Sequence, residues 1–400
     1  MSTVYKVGTC NLPIRTTSPR LCTYAGSTAA TCLWGKMTAM NRTRWGLVLL
    51  GALLLGLGAA AWAIEATGMS LSQVWTDVRN LPQRIIANWV PPAPGEAVAS
   101  SGGERQAQRR LAGRLDARLV WSSNRDGNAE LYLMDLRSLQ VRRLTHHRKA
   151  DFYARFSPDG ERILFLRSRP RWVSFRDRTA WDLFLMNADG TGERRLARQA
   201  YHPGWTADGG AVVFERGEKI YRLEIASGVE SLLFQRDETL PSGEIFDVAL
   251  SSNSMQLAMA IDHYGVAVYD LATRKLQRLS QQGACQPTWG PADEFLLWVA
   301  LGGSGGTRIM RGPPSQESPR VLIDLPGNYS HEYFPTISND GRWLAWGAAA
   351  EGHELDRADY EIFLWKIGGP WERAMRLTHN TSNDNWPDIY FSRILTREER

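Results

Sequence analysis

The chain has 400 residues, 43% apolar and 22% charged, a balance that suits one or two ordinary globular domains and excludes a disordered or fibrous chain. Six basic residues and no acid lie within residues 1–45, so residues 46–400 carry one acid in excess and the overall charge of +5 gives no reason to expect nucleic-acid binding. Three of the four cysteines (Cys10, Cys22, Cys32) sit in that basic segment; Cys285 stands alone in the body, and no CxxC pair suggests a metal site.

Residues 1–45 show no periodicity, and an export signal usually starts close to its methionine, so Met37 or Met40 is a candidate start. Residues 46–64 make up nearly all of the charge-free run "WGLVLLGALLLGLGAAAWAI", which is long enough to cross a hydrocarbon core as a helix. Basic residues flank only its N-terminal side, which predicts export of the C-terminal body. Two readings stand: a single-pass inner-membrane anchor, or a signal peptide cleaved after Ala63 within Ala61-Trp62-Ala63. Both put the body in the periplasm or cell exterior. Residues 65–116 read as an amphipathic helix, with Leu71, Val74, Trp75, Val78 and Leu81 at helical spacing, and then a flexible linker at "VPPAPGEAVASSGGERQ", Val90 to Gln106.

From residue 117 a unit recurs. "YARFSPDGERILFL" (Tyr153 to Leu166) has counterparts in "GWTADGGAVVF", "ALSSNSMQLAMA", "TWGPADEFLLWV" and "TISNDGRWLAWG". Their aligned anchors Phe156, Trp205, Leu250, Trp289 and Ile337 lie about 39 to 49 residues apart, and Pro203, Pro287 and Pro335 each stand two residues before one. A third apolar run ("LYLMD", "LFLMN", "IFLWK") and a fourth ending in Leu-Thr or similar come next in each copy. Four strands with tight polar turns at this period predict an all-β, six-bladed β-propeller of four-stranded antiparallel blades over residues 117–395. The first unit lacks its anchor strand, and "NWPDIYF" (Asn385 to Phe391) supplies one. The C-terminal strand is therefore expected to close the ring. Residues 396–400 are a tail.

The motifs "FSPDGERILF", "DGNAELYLMDLRSLQVRRLT" and "WDLFLMNADGTGERRL" resemble the TolB-like, WD-like propeller repeat family. The turn signature is altered in the fourth unit (Ser252-Asn253-Ser254) and in the fifth (Pro291-Ala292-Asp293). The resemblance implies the propeller fold; propellers host many activities, so it leaves function open. The separate α/β domain that precedes the TolB propeller has no counterpart in these residues, which argues against TolB itself.

No catalytic motif is found. Gly302–Gly306, "GGSGG", matches G-x-S-x-G, but a strand comes after it where a nucleophile elbow needs a helix. It is read as a loop. His353, Asp356 and Asp359 are read as a solvated acidic loop, and no metal or cofactor is expected. Candidate partner-binding residues fall in two groups. Tyr201, His202, His331, Tyr333 and Trp386 lie in the loops that lead into first strands and are expected around the channel mouth. Arg169, Arg171, Trp172, Arg176 and Arg178 form a basic, aromatic surface loop in the second unit, suited to an acidic partner. The expected function is a non-catalytic envelope scaffold that binds a protein partner; the alternative is an enzyme acting on polysaccharide or peptide at the channel.

Overall fold

The computed structural model describes residues 95–111, 113–238, 240–315, 318–350 and 355–392. The expected membrane or signal segment at 46–64, the helix at 71–81, the tail at 396–400 and His353 lie outside them. Among the described residues no helix is long and apolar enough to cross a membrane.

Among the described residues, twenty-four strands form six separate four-stranded antiparallel sheets. Blade one pairs β24 (Asn385–Phe391), β1 (Ala117–Ser123), β2 (Glu130–Asp135) and β3 (Gln140–Arg143) in that order. Blade two is β4 (Asp151–Phe156), β5 (Arg162–Ser168), β6 (Trp181–Asn187) and β7 (Arg194–Arg198). Blade three is β8 (Tyr201–Trp205), β9 (Ala211–Arg216), β10 (Lys219–Glu224) and β11 (Glu230–Gln235). Blade four is β12 (Ile245–Leu250), β13 (Gln256–Ile261), β14 (Gly265–Asp270) and β15 (Leu276–Arg278). Blade five is β16 (Ala284–Trp289), β17 (Leu296–Leu301), β18 (Thr307–Gly312) and β19 (Arg320–Ile323). Blade six is β20 (His331–Ile337), β21 (Trp343–Ala349), β22 (Glu361–Lys366) and β23 (Met375–Arg376).

The recurring sequence signatures each do a hydrogen-bonding job. In the SPDG turn, the Ser157 hydroxyl accepts from Arg162 N–H at 2.9 Å and Asp159 accepts from Glu161 N–H at 3.0 Å. Gly160 then takes φ +72°, and a Cβ there would run into the Tyr390 ring. The fourth unit keeps this turn despite its altered letters: Ser251 and Asn253 accept from Gln256 and Met255 N–H, and Ser254 adopts φ +60°. The Leu-Thr ending works across strands. Thr145 Oγ1 accepts Leu131 N–H at 3.0 Å, and Thr378 Oγ1 accepts Ile362 N–H at 2.8 Å. Ser280 does the same for Val266 N–H at 2.8 Å. Each hydroxyl satisfies a buried donor at the point where the outer strand turns away.

The ring closes through β24. It pairs with β1 and is clasped from both sides: Asp388 accepts Phe156 N–H from blade two at 2.7 Å and the Thr336 hydroxyl from blade six at 2.8 Å. Asn339 in the blade-six turn accepts Phe391 N–H at 2.8 Å and donates to Phe391 O at 3.1 Å.

The stretch read as a flexible linker is, from Gly95 on, docked on the propeller. Residues 96–98 pair with 379–381, and α1 (Gly102–Leu111) packs on β23. A capping box starts the helix: Ser101 N–H donates to Glu104 at 2.7 Å and Glu104 N–H to Ser101 Oγ at 3.1 Å. Glu104 also pairs with Arg376 at 3.0 Å, so two interactions that a Ser/Gly-rich composition hides fix this segment.

Truncation after Asp384 removes β24 and leaves β1 as an unpaired edge beside an exposed apolar face. The truncated chain is expected to aggregate or to lose most of its melting transition; a thermal melt like that of the full chain would mean the ring closes in another way.

Candidate functional site at the lidded channel mouth

Each innermost strand carries one β-bulge, and the bulge builds the channel. Two residues of the inner strand oppose one of the next: Tyr153–Ala154 face Phe165, His202–Pro203 face Phe214, and Asp247–Val248 face Met259. Gln286–Pro287 face Trp298, Phe334–Pro335 face Trp346, and Trp386–Pro387 face Trp121. The first residue of every pair has positive φ: Tyr153 59°, His202 39°, Asp247 51°, Gln286 53°, Phe334 57° and Trp386 51°. All six stand three residues before a blade anchor. Proline comes next in four of the six, where it removes an N–H that the bulge would leave unpaired.

These side chains fill the axis. Trp386 lies 4.4 Å between ring centroids from both Tyr153 and Phe334. Gln286 N–H donates to Asp247 Oδ2 at 3.0 Å, and Phe334 N–H to Gln286 Oε1 at 2.6 Å. The space left between Tyr153, Asp247, Gln286, Phe334 and Trp386 is about 10 Å³. That holds about one water and no substrate.

The arginine-rich connection between β5 and β6 lies over this plug, as the alternation of connections in an antiparallel blade requires. It is a lid and not the free surface loop its composition suggests. Val173, Ser174 and Phe175 are buried. Phe175 packs on Trp386 at 4.7 Å, Tyr201 at 5.0 Å and Phe152 at 5.9 Å, and the Tyr201 hydroxyl donates to Phe175 O. Asp356, from the β21–β22 connection, accepts the Ser174 hydroxyl at 2.6 Å and Phe175 N–H at 2.9 Å. At the other end Arg178 donates to Ile245 O at 2.7 Å and pairs with Glu244 at 3.2 Å. The lid thus runs from blade two to blade six on one side and blade four on the other.

Beneath it lies a buried charge cluster. His202 Nδ1 is 3.0 Å from Glu215 Oε1, and Nε2 is 2.7 Å from Asp247 Oδ1, off the ring's N–H direction. Burial alone would lower the imidazole pKa; the two carboxylates outweigh it and raise it to about 9. His202 is therefore a charged tie between blades three and four. Burial opposes ionisation of Asp247 too, and the His202 cation lowers its pKa in return.

The sequence-derived candidates sort by depth. Tyr201, His202, Tyr333 and Trp386 are at the mouth but buried, the first two and Trp386 directly under Phe175. His331 is half-buried beside the Gly302–Gly306 loop. Arg169, Arg171 and Arg176 are exposed on the lid, Trp172 is half-buried against Phe152, and Arg178 is committed to blade four. Asp247, Glu215 and the plugging role of Phe175 escaped the sequence reading. The position three before each anchor was the available signal. Gly302–Gly306 forms the β17–β18 hairpin loop, with Leu301 paired to Thr307. Among the described residues no group of His, Cys, Asp and Glu is placed to hold a metal ion.

No family model matches the chain. Solved structures do. TolB from Acinetobacter baumannii superposes with a TM-score of 0.52 at 13% identity, covering 71% of this chain and 69% of that one. The chain carries a TolB-like propeller. The hydrazine synthase of Kuenenia stuttgartiensis matches at 0.51 and 12% identity over 76% of this chain and about half (51%) of that one. A TolB-type protein of Agrobacterium tumefaciens matches at 0.48 and 15% over 70% and 99%. At these identities the likeness is one of fold.

The site generates two expected outcomes. Phe175→Ala should cost about 3 kcal/mol in chemical denaturation, as a vacated aromatic core position does; a loss near zero would mean the lid is not seated. His202 is charged in the fold up to about pH 9, whereas an unfolded imidazole loses its proton near 6.5. Its contribution is whole below about pH 6.5 and lost as pH climbs through about 9, a difference of roughly 3 kcal/mol. The wild-type melting temperature should fall across that window more steeply than that of His202→Gln; equal slopes would reject the charged tie.

Proposed function

We propose that this chain is a non-catalytic scaffold of the cell envelope, exported and held at the inner membrane through residues 46–64. It presents the outer surface of the lid to an acidic protein partner. The sealed mouth carries the reading: Phe175 and the six-residue plug occupy the place where an enzyme of this shape would need its substrate. Recognition is then left to the exposed side of the lid, which carries the exposed Arg169, Arg171 and Arg176 and the half-buried Trp172. Arginine and tryptophan on a seated, ordered loop bind at modest entropic cost.

Cross-linked pull-down from membranes tests it. Arg171→Glu with Arg176→Glu should abolish capture of the wild-type partner while leaving the melting temperature within a few degrees. Trp172→Ala should weaken capture by about 2 kcal/mol. Capture by wild type should also fall as salt rises, because the Debye length shrinks from about 10 Å at 0.1 M to about 3 Å at 1 M. Undiminished capture by the double variant at low salt would overturn the reading. Polysaccharide or peptide cleavage by the purified chain would favour the alternative, an envelope enzyme working through an opened lid.

A further inference from the structure

A second concavity lies away from the lid, at the seam between blades six and one. It is a half-open groove of about 730 Å³ between the end of α1 and the outer part of blade six. Its floor is apolar: Leu111 and Trp365 are buried there, and Leu115, Trp343 and Met375 are half-buried. Four basic residues line its margin. Arg110, Arg114, Lys366 and Arg373 are all exposed, come from two stretches of chain, residues 107–115 and 365–375, and have no carboxylate partner among the described residues. Glu372 is the one acid in the lining. The nearby Glu104 is already used by Arg376 and by the helix cap.

Size and polarity together define the ligand. The volume falls in the range of small-molecule sites, about 300–1,000 Å³. An apolar floor under a cationic margin matches a molecule with an apolar body and an anionic end. An added peptide strand fits less well, since the outer strand of blade six is covered by α1, and Gln108 Nε2 donates to Arg376 O at 3.0 Å. We propose that this groove binds a single-chain anionic amphiphile of the fatty-acid class. The alkyl chain would lie over Leu111, Trp343, Trp365 and Met375, and the carboxylate would sit among Arg110, Arg114, Lys366 and Arg373. The site is independent of the lid and of the scaffold reading.

The test uses the full chain in phosphatidylcholine nanodiscs, with dansyl-undecanoate as the probe and empty nanodiscs as the blank. Saturable dansyl fluorescence enhancement is expected, displaced by laurate and weakened by salt. Arg114→Glu with Arg373→Glu should weaken it by about tenfold or more. Both residues are exposed, so an unchanged melting curve separates a lost site from a lost fold. Leu115→Glu, on the floor, should weaken it comparably. Three results would each overturn the proposal: binding no greater than to empty nanodiscs, binding unchanged by the double variant, or displacement by dodecanol or hexaglutamate as effective as by laurate.

Discussion

One bulge per blade governs this molecule. Six innermost strands must converge on one axis, and a regular strand would send alternate side chains along the sheet faces instead of into the centre. The extra residue at positive φ turns one side chain per blade inward. A non-glycine residue in that conformation costs on the order of 1 kcal/mol or more. The packing at each position offsets it. The residue opposite every bulge is large and buried: Trp121, Phe165, Phe214, Met259, Trp298 and Trp346. Four of the chain's sixteen tryptophans, Trp121, Trp298, Trp346 and Trp386, are thus placed where the strain is.

From that ring comes the character of the mouth. Aromatic side chains at Tyr153, Phe334 and Trp386 make an apolar seat, and the lid supplies Phe175 to fill it. On the other side of the axis the inward residues are His202, Asp247 and Gln286, and a buried polar arc needs partners. The Glu215–His202–Asp247 cluster and the backbone donors of Val248, Gln286 and Phe334 supply them. One half of the plug is held by packing and the other by charge. The lid bridges the two, with Phe175 on the aromatic half and Arg178 on the charged half.

What the sequence disclosed was what is local. The period, the turn residues, the Leu-Thr endings and the missing first strand are all set within one unit, so repetition makes them visible. Even the altered fourth turn keeps its chemistry in Ser251 and Asn253, which stand where Ser157 and Asp159 stand in the second unit. The lid was illegible for the opposite reason. Its partners Asp356, Tyr201 and Ile245 are 181, 26 and 67 residues from the groups they bind, and nothing in "RSRPRWVSFRDR" distinguishes a buried Phe175 from an exposed one. The docked segment from Gly95 was missed because Gly, Ser and Pro suggest a linker unless the Ser101–Glu104 spacing is weighed against them.

Closure by a distant strand also shapes the outside. Blade one takes its inner strand from the C-terminal end of the propeller and its other three from the beginning, so the chain must enter the ring at the seam with blade six. The entering segment has apolar residues to bury and a two-residue outer strand, β23, to cover. Helix α1 does both, and Gln108 and Glu104 fasten it to blade six. Leu115, beyond the end of the helix, packs with apolar residues of blades one and six. The groove over Trp343 and Trp365 lies beside it. With the mouth of the axis plugged, the seam is a second concavity, and it is one that the topology itself creates.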